Sequence, residues 1–294
     1  WKNFFAGDKT GSWLSELWTK YAYLASRSAL VPSSNYFCAD NVHHYTNKVE
    51  TRAANFAFWT NVHMDKIEKQ TLEPIVGGGV IPISMHTHRD FSATRVPKPE
   101  IDELRNTIKS KYIVVFCQGE VYQFFPYNRR TGALYHPKYL QKEFRKLIDY
   151  HNHKVMANRQ NKYLKNYGLA VLTSSKRTDW ANLRSKIIKT LPSGAKTIKT
   201  IENARFAISF DQNIAVSDKN EHKLAAFGDI GNIWYDKSIT FVISRNARVG
   251  HNCEHTTGEA TNFGVFAQLT QSEEGIDVNG DCMIRPETGY EKLK

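Results

Sequence analysis

The segment His251-Asn252-Cys253-Glu254-His255 is the most informative one for chemistry. Alternate residues of a strand share a face, so a strand through this segment brings His251, Cys253 and His255 to one side. Histidine and cysteine are zinc ligand types, but a zinc site needs a fourth ligand or an open position. The sequence names no fourth ligand, so a zinc hydrolase stands as an alternative that predicts bound metal and chelator sensitivity. His255 differs from the other histidines in its setting, between a strand end and a helix start. Such a junction holds a side chain rigidly while exposing it. Imidazole is the side chain best suited to act as a general base at such a position. A structural histidine is the competing reading of the same residue.

The remaining candidates are weaker. His43-His44 and His86-Thr87-His88 sit in polar stretches and read as surface histidines, and His151-Asn152-His153 carries no spacing that implies a site. Asp277-Val278-Asn279-Gly280-Asp281 resembles a calcium loop, but such a loop wants Gly sixth and Glu twelfth. Here Gly280 is fourth and Thr288 twelfth, which reads as a turn. Gly77-Gly78-Gly79 lacks the Lys-Ser/Thr of a phosphate loop and reads as a flexible turn.

The elements that must position these residues follow from periodicity. Trp13, Leu14, Leu17, Trp18, Tyr21 and Leu24 recur at helical spacing and predict an amphipathic helix. A second helix is predicted over 51–68, with Ala54, Phe58 and Val62 on one face. The apolar runs 112–117 and 121–127, split by Gln118-Gly119-Glu120, predict a hairpin. Pro137 opens a helix carrying Tyr139, Leu140, Phe144, Leu147 and Ile148. Leu169 to Leu172 reads as a short buried strand, and Trp180, Leu183, Ile187 and Leu191 as a helical stripe. Strands are predicted at 205–210, 239–243 and 249–254, the last two joined by Arg245-Asn246-Ala247. Thr256-Thr257-Gly258-Glu259 has the form of a capping box, Thr256 as N-cap and Glu259 at N3, before a helix with Phe263, Val265, Phe266 and Leu269. The pattern is α+β: helices flank a mixed or antiparallel sheet of five or six strands. No linker is visible, so residues 1–294 are expected to form a single domain.

Composition narrows the class. A chain of 294 residues with 41% hydrophobic residues has material for a substantial core and is not a disordered chain. No run approaches the 18 or more apolar residues of a membrane span. The net charge of +11 favours polyanions, but it is spread along the chain, with one denser stretch from Lys176 to Arg205. That spread favours a phosphate-bearing ligand or a membrane face over nucleic acid. The four cysteines form no CxxC pair, which suits a reducing compartment. There is no signal peptide, and an opening on Trp1 is expected of a fragment or a processed product.

Several blocks, in order, resemble the carnitine/choline acyltransferase family. Asn232-Ile233-Trp234-Tyr235-Asp236-Lys237-Ser238 is similar to the family's Asn-Arg-Trp-Phe-Asp-Lys-Ser. Glu254-His255, with Glu259 four residues beyond the histidine, is similar to its Glu-His segment with a trailing acid. Phe91-Ser92-Ala93-Thr94-Arg95-Val96-Pro97 with Asp102, the Tyr112 to Val115 strand with Gly119, and Leu172-Thr173-Ser174 with Trp180-Ala181 and Leu183-Arg184 match further blocks. Tyr21-Ala22-Tyr23-Leu24, Arg27, Ser34-Asn35-Tyr36 and Asp40 resemble the carnitine palmitoyltransferase branch, as does Gly275 to Cys282. The blocks run from about residue 13 to about residue 282.

The resemblance implies a chloramphenicol-acetyltransferase-like half, a mixed, mostly antiparallel sheet of about six strands packed by helices. It implies acyl transfer between long-chain acyl-CoA and carnitine, with no cofactor beyond the coenzyme A thioester that is the substrate and no metal. His255 is then the catalytic base, supported by Glu259, Asp236 and Arg95. Expected partners are acyl-CoA, carnitine, the missing C-terminal half in cis or trans and a membrane surface, with no nucleic acid. A mitochondrial, membrane-associated location follows, with peroxisome and cytoplasm as alternatives. The sequence departs from the family at Ile233 (arginine in the family), Tyr235 (phenylalanine) and Thr256 (serine). The family's second half carries a Ser-Thr-Ser oxyanion element and the carnitine carboxylate site, and this chain has no Ser-Thr-Ser. The chain alone is therefore expected to be inactive or nearly so. The alternative is a truncated, non-catalytic relative that binds acyl-CoA, a membrane or a partner half.

Overall fold

A computed structural model describes residues 13–40, 46–77, 80–82, 85–158 and 168–283. Trp1, His43, His44, Gly78 and Gly79 lie outside them. At the centre is a six-stranded sheet: β1 (Tyr36–Ala39), β2 (Ile113–Cys117), β3 (Glu120–Phe124), β4 (Ala207–Asp211), β5 (Ile239–Ser244) and β6 (Val249–Cys253). The spatial order is β1-β6-β5-β4-β2-β3. The pairs β1/β6, β6/β5 and β2/β3 are antiparallel, while β5/β4 and β4/β2 are parallel. The sheet is mixed and mostly antiparallel, as expected. Two short antiparallel ribbons, Val76–Gly77 with Ile81–Pro82 and Thr94–Val96 with Glu103–Arg105, lie outside it.

The hairpin forms where the sequence places it. Gln118 and Gly119 both take positive φ, 47° and 84°, the conformation a two-residue turn needs to match the twist of the strands. The parallel pairs require crossovers, and helices provide them. The longer helices are α1 (Val49–Glu68), α2 (Pro137–Asn158), α3 (Arg177–Thr190), α4 (Pro192–Asn203), α5 (Lys219–Gly228) and α6 (Ala260–Ser272). Period-two alternation splits the core between the faces of the sheet. Phe206, Ile208, Phe210 and Phe241 pack with Phe56 and Phe58 of α1 on one face. Ala207, Val114 and Phe116 pack with Trp180, Ile198 and Ile201 of α3 and α4 on the other.

Several local expectations are corrected. α1 is buried on every side from Glu50 to Met64, not along one stripe. Its polar side chains are accommodated locally: Asn61 Nδ2 donates to Ala57 O at 2.7 Å, and Arg52 pairs with Asp40 at 2.9 Å. The segment 13–24 is a short α-helix, Trp13–Leu17, that continues as a wider π-helix, Trp18–Leu24. Its Leu14, Trp18 and Tyr21 are exposed, because helical spacing fixes a stripe but not what covers it. Leu169–Ser174 is a 3-10 helix, not a strand. The hydroxyls of Thr173 and Ser174 donate back to Ala170 O and Val171 O, each at 2.7 Å, which tightens the backbone. Of the helical stripe Trp180, Leu183, Ile187 and Leu191, Trp180 is buried while Leu183 and Leu191 are exposed.

Candidate active site

The site is built at the exit of β6. Glu254 follows the strand with extended backbone and caps a single 3-10 turn, His255–Thr257. Its carboxylate accepts from Thr256 N at 3.1 Å and from Thr256 Oγ1 at 2.7 Å. Thr257 Oγ1 donates to Glu254 O at 2.9 Å and lies 2.7 Å from Ser238 Oγ. These bonds turn the chain sharply while Glu254 and Thr257 stay buried, and His255 emerges between them, half-buried.

The capping box does not form. Thr256 is inside the 3-10 turn, and the N-cap of α6 is Glu259. The Glu259 side chain makes no capping bond and reaches His255 instead, Oε2 lying 3.2 Å from Nε2. Gly258 joins the two elements in extended conformation, φ 171°. A Cβ there would stand 2.9 Å from ring atoms of both Phe263 and Phe91, so only glycine lets the turn settle on this aromatic floor.

Two tyrosines wall the imidazole. The Tyr36 ring meets it edge-on with centroids 4.9 Å apart, and Tyr23 lies at 5.2 Å. Tyr36 OH donates to Gly258 O at 2.8 Å, and Tyr23 OH donates to Glu259 Oε1 at 3.4 Å. Burial pushes both phenols above their usual range, so they remain protonated donors at neutral pH.

Under the turn runs a chain of buried ion pairs. Arg95, almost wholly buried, donates from Nη1 to Glu254 Oε1 at 3.1 Å, from Nε to Asp102 Oδ2 at 2.7 Å and from Nη2 to Tyr23 O at 2.8 Å. Arg177 donates from Nε to Asp102 Oδ2 at 2.7 Å and from Nη1 to Asp236 Oδ1 at 2.5 Å. Trp180 Nε1 donates to Asp236 Oδ2 at 2.6 Å, and Arg27 pairs with Asp102 Oδ1 at 2.9 Å. Burial alone would raise the Asp102 carboxyl, but Arg177 and Arg95 outweigh it and hold it below the usual carboxylate range. Burial pushes Asp236 up to about 6, with Arg177 and the Trp180 indole holding back a larger rise.

Among the four residues singled out in the sequence, His255 and Glu259 meet directly. Arg95 and Asp236 do not touch the imidazole. They are links of the ion-pair chain, Arg95 immediately beneath Glu254 and Asp236 at the far end. Glu254 and Arg177 were not picked out as site residues. The Glu-His dipeptide was the available signal for the first, and nothing local marks Arg177. Ile233 is buried in an apolar cluster with Leu30 and Val242.

The zinc alternative loses its geometry. His251 and Cys253 point into the core, the His251 ring lying 5.7 Å from Phe56 and 5.0 Å from Phe241, whereas His255 has left the strand. Among the described residues no three His, Cys, Asp or Glu side chains converge as metal ligands. Asp277 forms a turn, accepting from Asn279 N and Asp281 N, while Asp281 pairs with Lys48. The described cysteines are free thiols, and no described helix is long and apolar enough to cross a membrane.

An imidazole with one ring nitrogen against a carboxylate, and the other free of that contact, is equipped to accept a proton from a hydroxyl. Comparison with known proteins bears on which hydroxyl. Residues 4–281 match the model of the choline/carnitine O-acyltransferase family. The chain is 25% identical over 290 residues to the muscle isoform of carnitine O-palmitoyltransferase 1 of Rattus norvegicus, covering 94% of this chain and 36% of that protein. It is 26% identical over 277 residues to the liver isoform of Homo sapiens, with 90% and 34% covered. With the mitochondrial carnitine O-palmitoyltransferase 2 of Mus musculus it shares 26% identity over 179 residues, 60% of this chain and 25% of that one. The chain thus spans little more than a third of the length of the relatives that match along most of it.

Proposed function

The chain belongs to the choline/carnitine O-acyltransferase family, and from that premise we propose that it provides the base of a carnitine O-acyltransferase. The reaction is acyl-CoA plus carnitine giving acylcarnitine plus coenzyme A, with a long acyl chain as in the relatives' names. His255 takes the proton of the carnitine hydroxyl, and the alkoxide attacks the thioester carbonyl. The tetrahedral intermediate expels the coenzyme A thiolate, which recovers the proton from the imidazolium. No covalent acyl-enzyme is needed.

The observation that carries the reading is the contact between His255 Nε2 and Glu259 Oε2 at 3.2 Å, in a turn clamped from below by buried charge. A carboxylate accepting one ring N–H fixes the tautomer, leaving the other nitrogen with its lone pair, and steadies the imidazolium once it forms. Glu259 is therefore a positioning residue. Arg95 and Asp236 act further back, holding the Glu254 turn and the α3 start in register. The 294 residues act as one catalytic half. Oxyanion donors supply several kcal/mol in acyl transfer, and in this proposal they come from a second half, in cis or trans. A mitochondrial site of action belongs to the same reading, supported by the name of the murine relative.

The test is mass-spectrometric detection of palmitoylcarnitine after incubating the native, full-length gene product with palmitoyl-CoA and carnitine. Product that disappears in His255→Ala is the expected result. An undiminished rate in that variant, or no product from the full-length protein, overturns the proposal.

A further inference from the structure

Between Asp179 and Glu202 the chain has no acidic residue but carries Arg184, Lys186, Lys189, Lys196 and Lys199. α3 and α4 fold this run into a helical hairpin whose corner is Leu191-Pro192, with Pro192 starting α4. Gly194 closes the corner, since a Cβ there would lie 2.8 Å from Ile187 Cγ2. The helices are anchored on the sheet by Trp180, Ile198 and Ile201, all buried. Their outer side is different. Leu191 at the corner is 53% exposed and Leu183 is 40% exposed. Lys186, Lys189, Lys196 and Lys199 are all exposed. None of the four has an ion-pair partner among the described residues.

The acids that bracket the run do not neutralise it. Glu202 is buried and already shared by Arg105 and Arg184. Asp179 lies in the first turn of α3, about 18 Å along the helix from the corner. Beside the corner is a groove of about 380 Å³ lined by Tyr112, Pro192, Ala195, Lys196, Lys199 and Thr200. An exposed leucine at the apex of a helical hairpin, with four lysines along its two arms that have no ion-pair partner among the described residues, has no task inside this fold.

We propose that this corner docks on an anionic phospholipid surface. Leu191 enters the headgroup layer, the four lysines face lipid phosphates, and the groove beside Lys196 and Lys199 takes a headgroup. Charge complementarity fixes the sign of the partner, and each lysine at such a surface adds about fivefold in binding. The exposed leucine selects lipid over nucleic acid, because a phosphodiester backbone offers an apolar apex nothing to enter. Docking leaves the His255 turn free. Arg177, which opens α3 and belongs to the ion-pair chain, is about 20 Å from the corner. The inference does not depend on acyl transfer, because vesicle binding needs no turnover.

The experiment is flotation of the purified chain with vesicles of phosphatidylcholine alone and with about one-third phosphatidylserine. Expected is at least tenfold tighter binding to the anionic vesicles, weakening as salt rises. The double variant Lys196→Gln, Lys199→Gln weakens it about 25-fold with an unchanged melting temperature. Lys138→Gln with Lys142→Gln, at two exposed lysines of α2, removes the same charge and changes binding less than threefold. Leu191→Asp weakens it at least tenfold. Equal losses in the two double variants mean diffuse attraction by net charge and overturn the proposal. So does full binding by Leu191→Asp, or retention on DNA that matches the vesicles and survives that substitution.

Discussion

Removing Arg95 exposes the logic of the site most directly. The guanidinium is 1% exposed and Glu254 is fully buried, with 3.1 Å between Nη1 and Oε1. In Arg95→Met the Glu254 carboxylate keeps, among the described residues, the Thr256 N–H and O–H as donors. A buried charge left without its counter-charge costs about 3–5 kcal/mol, a large share of the 5–15 kcal/mol that typically holds a folded protein together. Glu254→Gln strands Arg95 less severely, because Asp102 still accepts from its Nε at 2.7 Å; about 1.5–3 kcal/mol is expected, the value of one charged hydrogen bond. In the double variant neither charge remains to be stranded at this contact, so it should be more stable than the sum of the singles by about 2–3 kcal/mol. The loss of the Arg95–Asp102 contact is common to both Arg95-lacking forms and cancels in the cycle. The assay is urea unfolding of the four proteins by far-ultraviolet circular dichroism, at low salt and again at 1 M salt. A buried pair should keep its coupling in high salt, whereas an exposed one is screened. A coupling below about 0.5 kcal/mol, the limit of additivity for independent sites, would refute the claim that Arg95 clamps the His255 turn through Glu254.

Three further outcomes follow from the same geometry. Glu259→Gln should lower kcat for acylcarnitine formation about tenfold with KM nearly unchanged, well short of the 10²–10⁴ expected for losing a general base; because the Glu259 side chain is 61% exposed, water can partly replace it, and a loss as deep as that of His255→Ala would make Glu259 more than a positioning residue. Lys237, fully buried with Nζ 2.6 Å from Thr94 Oγ1, is pushed by burial from 10.5 down to about 7. Between those values the unfolded chain binds a proton the folded chain does not, so this group makes stability rise as pH climbs from about 7 towards 10. Lys237→Met should abolish that rise, and equal slopes of unfolding free energy against pH in both proteins would contradict the assignment. Gly258→Ala should cost about 1–3 kcal/mol by overpacking, read as a lowered melting temperature, because its methyl would press on Phe91 and Phe263 at 2.9 Å; an unchanged transition would show that the aromatic floor yields.

Much of the fold is legible in local patterns. The 113–124 hairpin follows from two apolar runs around Gln118-Gly119, and α2 from Pro137 and its apolar spacing, because turn chemistry and amphipathic periodicity are properties of a few neighbouring residues. The failures share a cause. Leu169 to Leu172 looks like a strand until the Thr173 and Ser174 hydroxyls close back on the preceding carbonyls. Leu183 and Leu191 share a helical stripe with Trp180 and Ile187, yet both are exposed, because spacing fixes a stripe but not what packs on it. Thr256 to Glu259 has the letters of a capping box, but two tertiary demands take its parts: Glu254 binds Thr256 and His255 draws Glu259.

By itself the sequence determined the α+β class and the family, and it marked His255 as the candidate base, because these rest on residue identity and spacing along the chain. Tertiary structure decided what the supporting residues do. Arg95, Asp102, Arg177 and Asp236 are spread over 142 positions of the chain, yet they form one continuous chain of ion pairs beneath Glu254. No local rule foretells this, since each guanidinium chooses among carboxylates brought together only when β6, the 94–105 ribbon and α3 pack. Burial then sharpens the choice, because a charge removed from water must find its partner within a few ångströms or destabilise the fold. The same packing set Glu259 against the imidazole, giving the histidine found in the sequence the carboxylate that orients it.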